Sequence, residues 1–340
     1  FANFLLAVVI FAYVAFVSGT MSNEPIVGNV ADLKFLFSWK PNMIFLVDSE
    51  IWPNLILRAN QLKIPIILIN ARITHKTFKK WMMFPKSAKK IFSLFDLCLA
   101  SNSETKNYLE KLNARNIYLT GNIKFINKIN KQKLENLNEK ILINNRFWLA
   151  ASTHEGEEIL CLKTHLKLKE KYKKIITIIA PRHIERVQRI GELCKKYKLD
   201  FQILGKGEAF LKNKEVIIIN SFGVLQNYFK FAKSVFIGKS TLKKLENDSG
   251  QNPIDAAKMG CKIYHGPYVY NFKEIYGILE GSNISKEIKD YTELSGYLIE
   301  DLNIIQKEDK KISYSINNLS QKILNNTMTN INNIINNEVN

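Results

Sequence analysis

The stretch KIITIIAPRH, from Lys174 to His183, decides the fold of the second half of the chain. Its isoleucine-rich run, interrupted only by Thr177, has the length and composition of a strand buried on both faces of a parallel sheet. Pro181 then marks a turn, and the pattern from Ile184 to Tyr197 predicts a helix directly behind it. A buried strand followed by a helix is the repeating unit of α/β proteins.

The same alternation extends along the chain in both directions. Short apolar runs, separated by helical or turn-forming segments, occur at 147–150, 201–204, 216–219, 234–237 and 261–264. Four more apolar runs lie between residues 41 and 125, most of them with a helical stretch behind them. We therefore predict an α/β protein of two Rossmann-like domains, each built on a doubly wound parallel sheet.

Changes in composition suggest the domain boundaries. A segment rich in lysine and asparagine at 127–145 is predicted to link a first domain at 21–126 to a second domain at 146–297. The apolar segment at 1–20 fits either a membrane anchor or a strand remnant of a chain that lacks its true start. Residues 298–340 are predicted to form a helix and an Asn-rich tail with little to pack against.

The composition restricts the class of partner only loosely. A net charge of +18 suits an anionic partner, but much of it comes from the general abundance of lysine. No RNP, helix-turn-helix or zinc-finger pattern is found, so we predict no nucleic acid partner. The four cysteines form no C-x-x-C pair and are predicted to be buried thiols of a reducing compartment. No histidine pair has metal-ligand spacing, so no metal site is predicted.

Polar residues cluster where the first two strands of the second domain are predicted to end. Ser152 and Glu155 have the spacing of a capping box, which leaves the residues between them to face a ligand. Arg182 and His183 follow the next strand and offer hydrogen-bond donors to an anion, although a surface salt bridge would equally explain Arg182. In parallel sheets such strand ends are where ligands bind.

Two further loops carry the same kind of residues. In NSFGVL, residues 220–225, Ser221 can cap a helix and Gly223 lets the backbone approach a ligand. In DSGQNPID, residues 248–255, free helix amides suit a phosphate, while Asn252 and Asp255 are placed to bind hydroxyls. Capped helices with solvated polar residues are the alternative for each loop taken singly. Four such loops on one sheet edge predict a cleft for a phosphorylated ligand, and no G-x-G-x-x-G or P-loop motif indicates another nucleotide site.

Several segments resemble the 3-deoxy-D-manno-octulosonic acid (Kdo) transferases of lipid A biosynthesis. The similarity extends over residues 21–280 and rests on VDSEIWPNLILRANQLKIPIILINARIT, GNIKF, WLAASTHEGEE, APRHIERV, SFGVL and SGQNPIDAAKMGCKIYHGPYVYNFKEI. The resemblance implies a GT-B fold with two domains facing a cleft. It also implies transfer of Kdo from CMP-Kdo to a lipid A precursor (lipid IVA) in lipopolysaccharide biosynthesis, at the cytoplasmic face of the bacterial inner membrane.

The resemblance also implies a set of binding residues. Asp255 stands where the family normally has glutamate, and Asp48 likewise replaces a more usual glutamate. Since the sequence has no DxD pair, Arg182, His183 and helix amides are expected to offset the charge of the leaving group. Neither a metal nor another cofactor is predicted. The CMP-binding motifs of the family fall on Pro181, Arg182, Phe222, Gly223, Val224, Asn252, Pro253, Ile254 and Asp255.

The catalytic base is harder to assign. Members of the family carry a Ser-x-Gly-Glu motif whose glutamate is taken as the base, and this motif is not found in the sequence. Glu50 is the remaining candidate, with a capping or salt-bridge role as the alternative. We therefore expect the first domain to be truncated or rearranged. A catalytically impaired nucleotide-binding remnant, or a GT-B enzyme that uses a UDP- or ADP-sugar, remains open.

One basic segment has no place in these motifs. FKKWMMFPKSAKK, residues 78–90, mixes tryptophan, methionine and phenylalanine with lysine. Such a segment is typical of a helix that lies on an anionic membrane or meets the phosphates of an acceptor. An ordinary solvated helix face is the alternative.

Overall fold

A computed structural model describes residues 8–11, 36, 38, 40–127, 129, 134–305, 307 and 310–339. The chain divides into two compact units. The first comprises 1–126 together with 320–340, and the second comprises 127–319.

The first unit is built on a parallel sheet of five strands in the order β1-β2-β3-β4-β5. Each strand after β1 coincides with one of the apolar runs predicted above. The strands are β1 (Val8–Phe11), β2 (Met43–Val47), β3 (Ile66–Ala71), β4 (Leu97–Ala100) and β5 (Ile117–Leu119). The helices are α1 (Pro53–Gln61), α2 (His75–Trp81), α3 (Pro85–Phe92) and α4 (Ser103–Lys111).

The second unit is built on a parallel sheet of seven strands in the order β12-β11-β10-β6-β7-β9-β8. Its strands are β6 (Phe147–Thr153), β7 (Ile176–Pro181), β8 (Phe201–Leu204), β9 (Val216–Ile219), β10 (Ser234–Ile237), β11 (Lys262–His265) and β12 (Ser285–Glu287). Its helices are α5 (Glu139–Asn144), α6 (Glu157–Lys171), α7 (Val187–Lys196), α8 (Leu225–Phe229), α9 (Ile254–Lys258), α10 (Lys273–Gly281) and α11 (Tyr291–Asp301).

The isoleucine-rich strands of the second unit are buried on both faces, as their composition predicts. All four residues of β9 and of β10 are buried, and one core contains Trp148 of β6, Ile218 of β9 and Phe236 of β10. Continuous apolar runs occur because helices cover both sides of a doubly wound sheet. The prediction of two Rossmann-like α/β units is therefore confirmed. A doubly wound strand order is seen only in the second unit, because the described strands of the first follow one another in chain order.

The linker and the tail differ from the sequence-based description. Within the predicted linker, Asn138 is buried and its side chain bonds both Phe210 N, at 2.7 Å, and Glu208 O, at 3.2 Å. The described part of this segment therefore packs onto the second unit. It does so because the Asn138 amide satisfies two backbone groups of that unit.

The predicted tail forms a helix, α12 (Lys310–Val339), which runs on into the part of the chain assigned to the first unit. Ile331 is buried in an apolar cluster with residues of β2, β3 and β4, and Ile334 and Ile335 pack against the same cluster. The expectation that this segment has little to pack against was wrong. Its isoleucines recur at helical spacing, so the Asn-rich composition conceals an apolar stripe.

The apolar N-terminal segment is described only at β1, which pairs with β2 in parallel. The rest of 1–20 lies outside the described residues. None of the described helices is long and apolar enough to cross a membrane. All four cysteines are free and buried, as predicted.

Candidate functional site

The carboxyl ends of β6 and β10 meet where the strand order reverses. β6 pairs with β7 on one side and with β10 on the other. The chain continues from β6 through β7, β8 and β9 on one side and returns to β10 on the opposite side. Such a reversal is the position at which open α/β sheets bind their ligands.

The end of β6 is distorted toward this position. The register with β7 shifts between Ala151 and Thr153, and Ser152 adopts a left-handed backbone with φ of 57°. Arg182 N donates to Thr153 O at 3.0 Å, which joins the loop after β7 to the end of β6. This irregularity redirects the side chains that follow the strand.

Glu157, the first residue of α6, holds the loops after β6 and β10 together. Its buried carboxylate accepts the backbone amide of His154 at 2.9 Å, of Lys239 at 2.7 Å, of Ser240 at 2.9 Å and of Thr241 at 3.1 Å. The Thr241 hydroxyl donates a fifth bond at 3.0 Å. A carboxylate so fully bonded fixes the backbone of both loops.

Glu158 makes a second buried contact in the same loop. Both of its oxygens accept from the Arg186 guanidinium at 2.9 Å, in a bidentate pair. This pair links α6 to the turn after β7. Since two parallel bonds fix distance and angle together, it orients the loop that carries Arg182.

Gly238 lets β10 and β6 approach each other closely. A Cβ at this position would lie 2.5 Å from Ser152 O and 2.8 Å from an oxygen of Glu157. Only glycine therefore fits between the two strand ends.

Arg182 and His183 directly follow β7, and His154 directly follows β6. The Arg182 guanidinium is exposed, and none of its bonds to the described residues involves the side chain. His154 and His183 meet edge to face, with their ring centroids 5.6 Å apart. Burial lowers the pKa of His154 below its ordinary value, and Lys239 and His183 act in the same direction. An exposed guanidinium offers charged hydrogen-bond donors to an anionic ligand at this strand end.

The loop after β9 presents its backbone to solvent. Phe222 is 67% exposed, and Gly223 has φ of 76° with open space around its α-carbon. Val224 precedes α8 as its cap residue. An exposed aromatic ring beside a glycine offers a flat surface and free backbone groups to a ligand.

The loop that opens α9 is ordered by its own side chains. Asn252 accepts the amide of Ile254 at 3.0 Å, and Pro253 is the cap residue of the helix. Asp255 accepts from the side chain of Gln226 at 2.9 Å, which connects α9 to α8. Asp255 therefore already has a protein partner, and one of its oxygens remains for a ligand hydroxyl.

Two predicted caps are wrong. Ser152 and Glu155 form no capping box, because Gly156, with φ of 107°, precedes α6 and Glu155 instead pairs with Arg189 at 2.9 Å. Ser221 does not cap α8, whose cap residue makes no side-chain bond.

Sequence reasoning missed Glu157, Glu158 and Arg186. The signal was present in THEGEE, where two adjacent acidic residues begin an apolar helix. Acidic residues in a first turn are ordinarily solvated, so their burial follows only from the tertiary fold.

The first unit has its own polar group at the carboxyl ends of β2 and β3. Asp48 Oδ1 accepts from the side chain of buried Asn70, and Asn70 Oδ1 accepts the amide of Ile123 at 3.0 Å. Lys124 lies 3.6 Å from Asp48. The Asp48 carboxylate is therefore engaged in contacts within the first unit.

Glu50 makes fewer side-chain contacts with the described residues than Asp48 does. Within the described residues its carboxylate accepts one hydrogen bond, from the Trp52 indole Nε1 to Oε2 at 2.9 Å, and its side chain is partly exposed. Its other oxygen thus remains available to a substrate. Among the described residues no group of three or more His, Cys, Asp or Glu side chains is arranged to hold a metal ion.

Comparison with known proteins gives a consistent result. Residues 29–127 match the family described as "3-Deoxy-D-manno-octulosonic-acid transferase (kdotransferase)". The chain is 29% identical over 256 residues to the 3-deoxy-D-manno-octulosonic acid transferase of Haemophilus influenzae, covering 72% of this chain and 58% of that protein. With the transferase of Rickettsia typhi the identity is 32% over 277 residues, covering 79% of this chain and 58% of that protein. The chain thus spans somewhat more than half the length of these relatives.

A solved structure resembles the fold. A UDP-N-acetylglucosamine 2-epimerase superimposes with a TM-score of 0.53 at 14% identity, covering 87% of this chain and 74% of that one. Two α/β units built on parallel sheets, with polar loops at the strand ends, place the chain in the GT-B class of fold. Within that class the chain is similar in sequence to the Kdo transferases, so the resemblance predicted from its motifs is confirmed.

Proposed function

We propose that the chain carries out Kdo transfer, taking the sugar from CMP-Kdo and giving it to a hydroxyl of a lipid A precursor (lipid IVA) in lipopolysaccharide biosynthesis. The observation that carries the proposal is the exposed Arg182 guanidinium at the switch point of the second sheet, in a chain whose residues 29–127 match the Kdo transferase family. The names of the similar proteins support Kdo as the sugar that is transferred. The nucleotide, the acceptor and a location at the cytoplasmic face of the bacterial inner membrane belong to the proposal.

The second unit supplies the donor site. The Arg182 guanidinium and the exposed backbone near Gly223 would receive the cytidine phosphate, while Asn252 and Asp255 would bind hydroxyls. The Glu158–Arg186 pair holds the loop that carries Arg182, and Glu157 holds the loop after β10, before the ligand arrives. Preorganised donors stabilise the charge that develops on the leaving phosphate.

The first unit supplies the base. The acceptor oxygen attacks the anomeric carbon of Kdo, the bond from that carbon to the CMP oxygen breaks, and CMP leaves with the negative charge. Glu50 takes the proton of the attacking hydroxyl. The Trp52 indole holds one Glu50 oxygen, which orients the other oxygen toward a substrate. Neither a metal nor another cofactor takes part in this scheme.

Direct transfer tests the proposal. The protein is mixed with CMP-Kdo generated in situ and with tetraacylated lipid A precursor in detergent, and the lipid is analysed by mass spectrometry. We expect a mass increase of one or more Kdo units. CMP binding without transfer would favour a nucleotide-binding relative that lacks catalysis, and tighter binding of UMP or ADP than of CMP would favour another nucleotide sugar.

A further inference from the structure

Three consecutive large apolar side chains are exposed between α2 and α3. Met82 is 36% exposed, Met83 71% and Phe84 72%. We call these three residues the α2–α3 tip. Single exposed apolar residues are common on soluble proteins, but a contiguous group indicates a surface that meets an apolar partner.

The tip is held rigidly. The backbone amides of its three residues donate to carbonyls of α2 at distances from 2.9 to 3.2 Å. Behind the tip, the Trp81 ring packs edge-on against Phe92 at 5.2 Å between centroids. The backbone of the turn is therefore held by hydrogen bonds and packing, and this conformation leaves the three apolar side chains exposed.

Lysines flank the tip on both sides in the sequence, without acidic residues among them. The stretch 75–93 contains six lysines and neither aspartate nor glutamate. All six are exposed, and none of the ion pairs in the described part of the chain involves them. They are Lys76, Lys79, Lys80, Lys86, Lys89 and Lys90.

An exposed apolar tip flanked by six exposed lysines matches the surface of an anionic bilayer. An anionic bilayer offers phosphates at its surface and hydrocarbon just below them, so the lysines and the tip are satisfied together. A second copy of the chain would bring twelve like charges together and is disfavoured.

We propose that the α2–α3 tip inserts into the headgroup boundary of an anionic bilayer, with Met83 and Phe84 among the acyl chains and the flanking lysines at the lipid phosphates. The choice of a bilayer rests on the proposed function, whose acceptor is a lipid. Insertion would hold the unit that carries Glu50 at the surface where that acceptor lies. The tip lies in the interface and does not span the membrane.

Vesicle binding of the full chain tests the inference. The parent protein and the double variant Met83→Asp/Phe84→Asp are titrated with phosphatidylglycerol–phosphatidylcholine vesicles and with phosphatidylcholine vesicles. Leu137→Asp, which changes a residue that is 70% exposed in the second unit, is the matched control. We expect the double variant to bind anionic vesicles about tenfold more weakly or worse, and the control to bind like the parent.

A label reports the position of the tip itself. Because the four native cysteines are buried, the variant Met83→Cys can be labelled selectively with an environment-sensitive dye. We expect a blue shift with anionic vesicles that high salt reduces, and no shift for labelled Leu137→Cys. Equal binding of the tip variant and the parent, equal binding to neutral vesicles, or an unshifted label at position 83 would overturn the inference. Neither vesicle assay uses a sugar donor or an acceptor. Failure of this inference can therefore be distinguished from failure of the proposed function, which the detergent-based transfer assay tests.

Discussion

The carboxylate of Glu157 accepts the backbone amide of Ser240 at 2.9 Å, although the two residues are 83 positions apart in the chain. This bond joins the start of α6 to the loop after β10, on the two sides of the switch point. Each oxygen of Glu157 accepts more than one donor, so no other side chain of this size can replace the carboxylate.

Glu157→Gln should therefore lower stability strongly. The NH2 group of glutamine would face backbone amides that need an acceptor, and we expect a loss of about 3 kcal/mol in the free energy of unfolding. Chemical denaturation measures it. Glu155→Gln, which removes only an exposed ion pair with Arg189, should change stability by less than about 1 kcal/mol. Equal losses for both variants would contradict the role given to Glu157.

Arg182→Ala should weaken CMP binding without changing stability. Removing a charge-assisted bond worth about 1.5 to 3 kcal/mol lowers affinity by roughly 10- to 100-fold. Isothermal titration with CMP gives the affinity. Arg189→Ala removes a similarly exposed arginine whose partner is Glu155, and should leave the affinity intact. A folded Arg182→Ala protein with the parent affinity would remove Arg182 from the donor site.

Glu50→Gln should lower the turnover number and leave CMP affinity unchanged. Glutamine keeps an oxygen for the Trp52 indole but cannot take a proton, and general-base catalysis is worth about 100-fold or more. The rate of Kdo transfer at saturating donor measures the effect. The exposed Glu110→Gln serves as the control, and parent-like turnover in Glu50→Gln would assign the base elsewhere.

Gly238→Ala should destabilise the second unit by about 2 kcal/mol or more, because its Cβ would collide with Ser152 O at 2.5 Å. Gly296→Ala gives the contrast. That position lies within α11 with open space around it, so alanine should raise stability by about 0.5 to 1 kcal/mol. Thermal unfolding should therefore give a lower melting temperature than the parent for Gly238→Ala and a higher one for Gly296→Ala.

Acid should destabilise the protein through His165. Burial lowers the pKa of this imidazole to about 4, although Glu215 opposes the shift. The unfolded state therefore binds the proton first, and stability is lost as the pH falls from about 6.5 to about 4, by about 3 kcal/mol at most. His165→Asn should show a smaller acid-side loss than the parent, measured by urea unfolding at several pH values. Identical profiles for the parent and His165→Asn would exclude His165.

The sequence predicts the strands well and the side-chain network poorly, for a physical reason. Apolar runs such as Ile175–Ala180 have one stable outcome, a strand buried on both faces, so their pattern suffices. The positions of Arg182 after β7 and of Gly223 after β9 also follow from this pattern, because it predicts where strands end. The pairing of Glu158 with Arg186 spans 28 residues and leaves no local trace. For α12, the spacing of its isoleucines was visible, but the asparagines between them suggested a loose tail.

The place of α12 in the chain has a consequence for biosynthesis. The apolar face formed by β2, β3 and β4 is covered by Ile331, Ile334 and Ile335, which the ribosome adds only after the entire second unit. The second unit can thus complete its core during translation, while the first must wait with part of its sheet bare. The unit whose synthesis begins first is therefore the unit whose core is completed last.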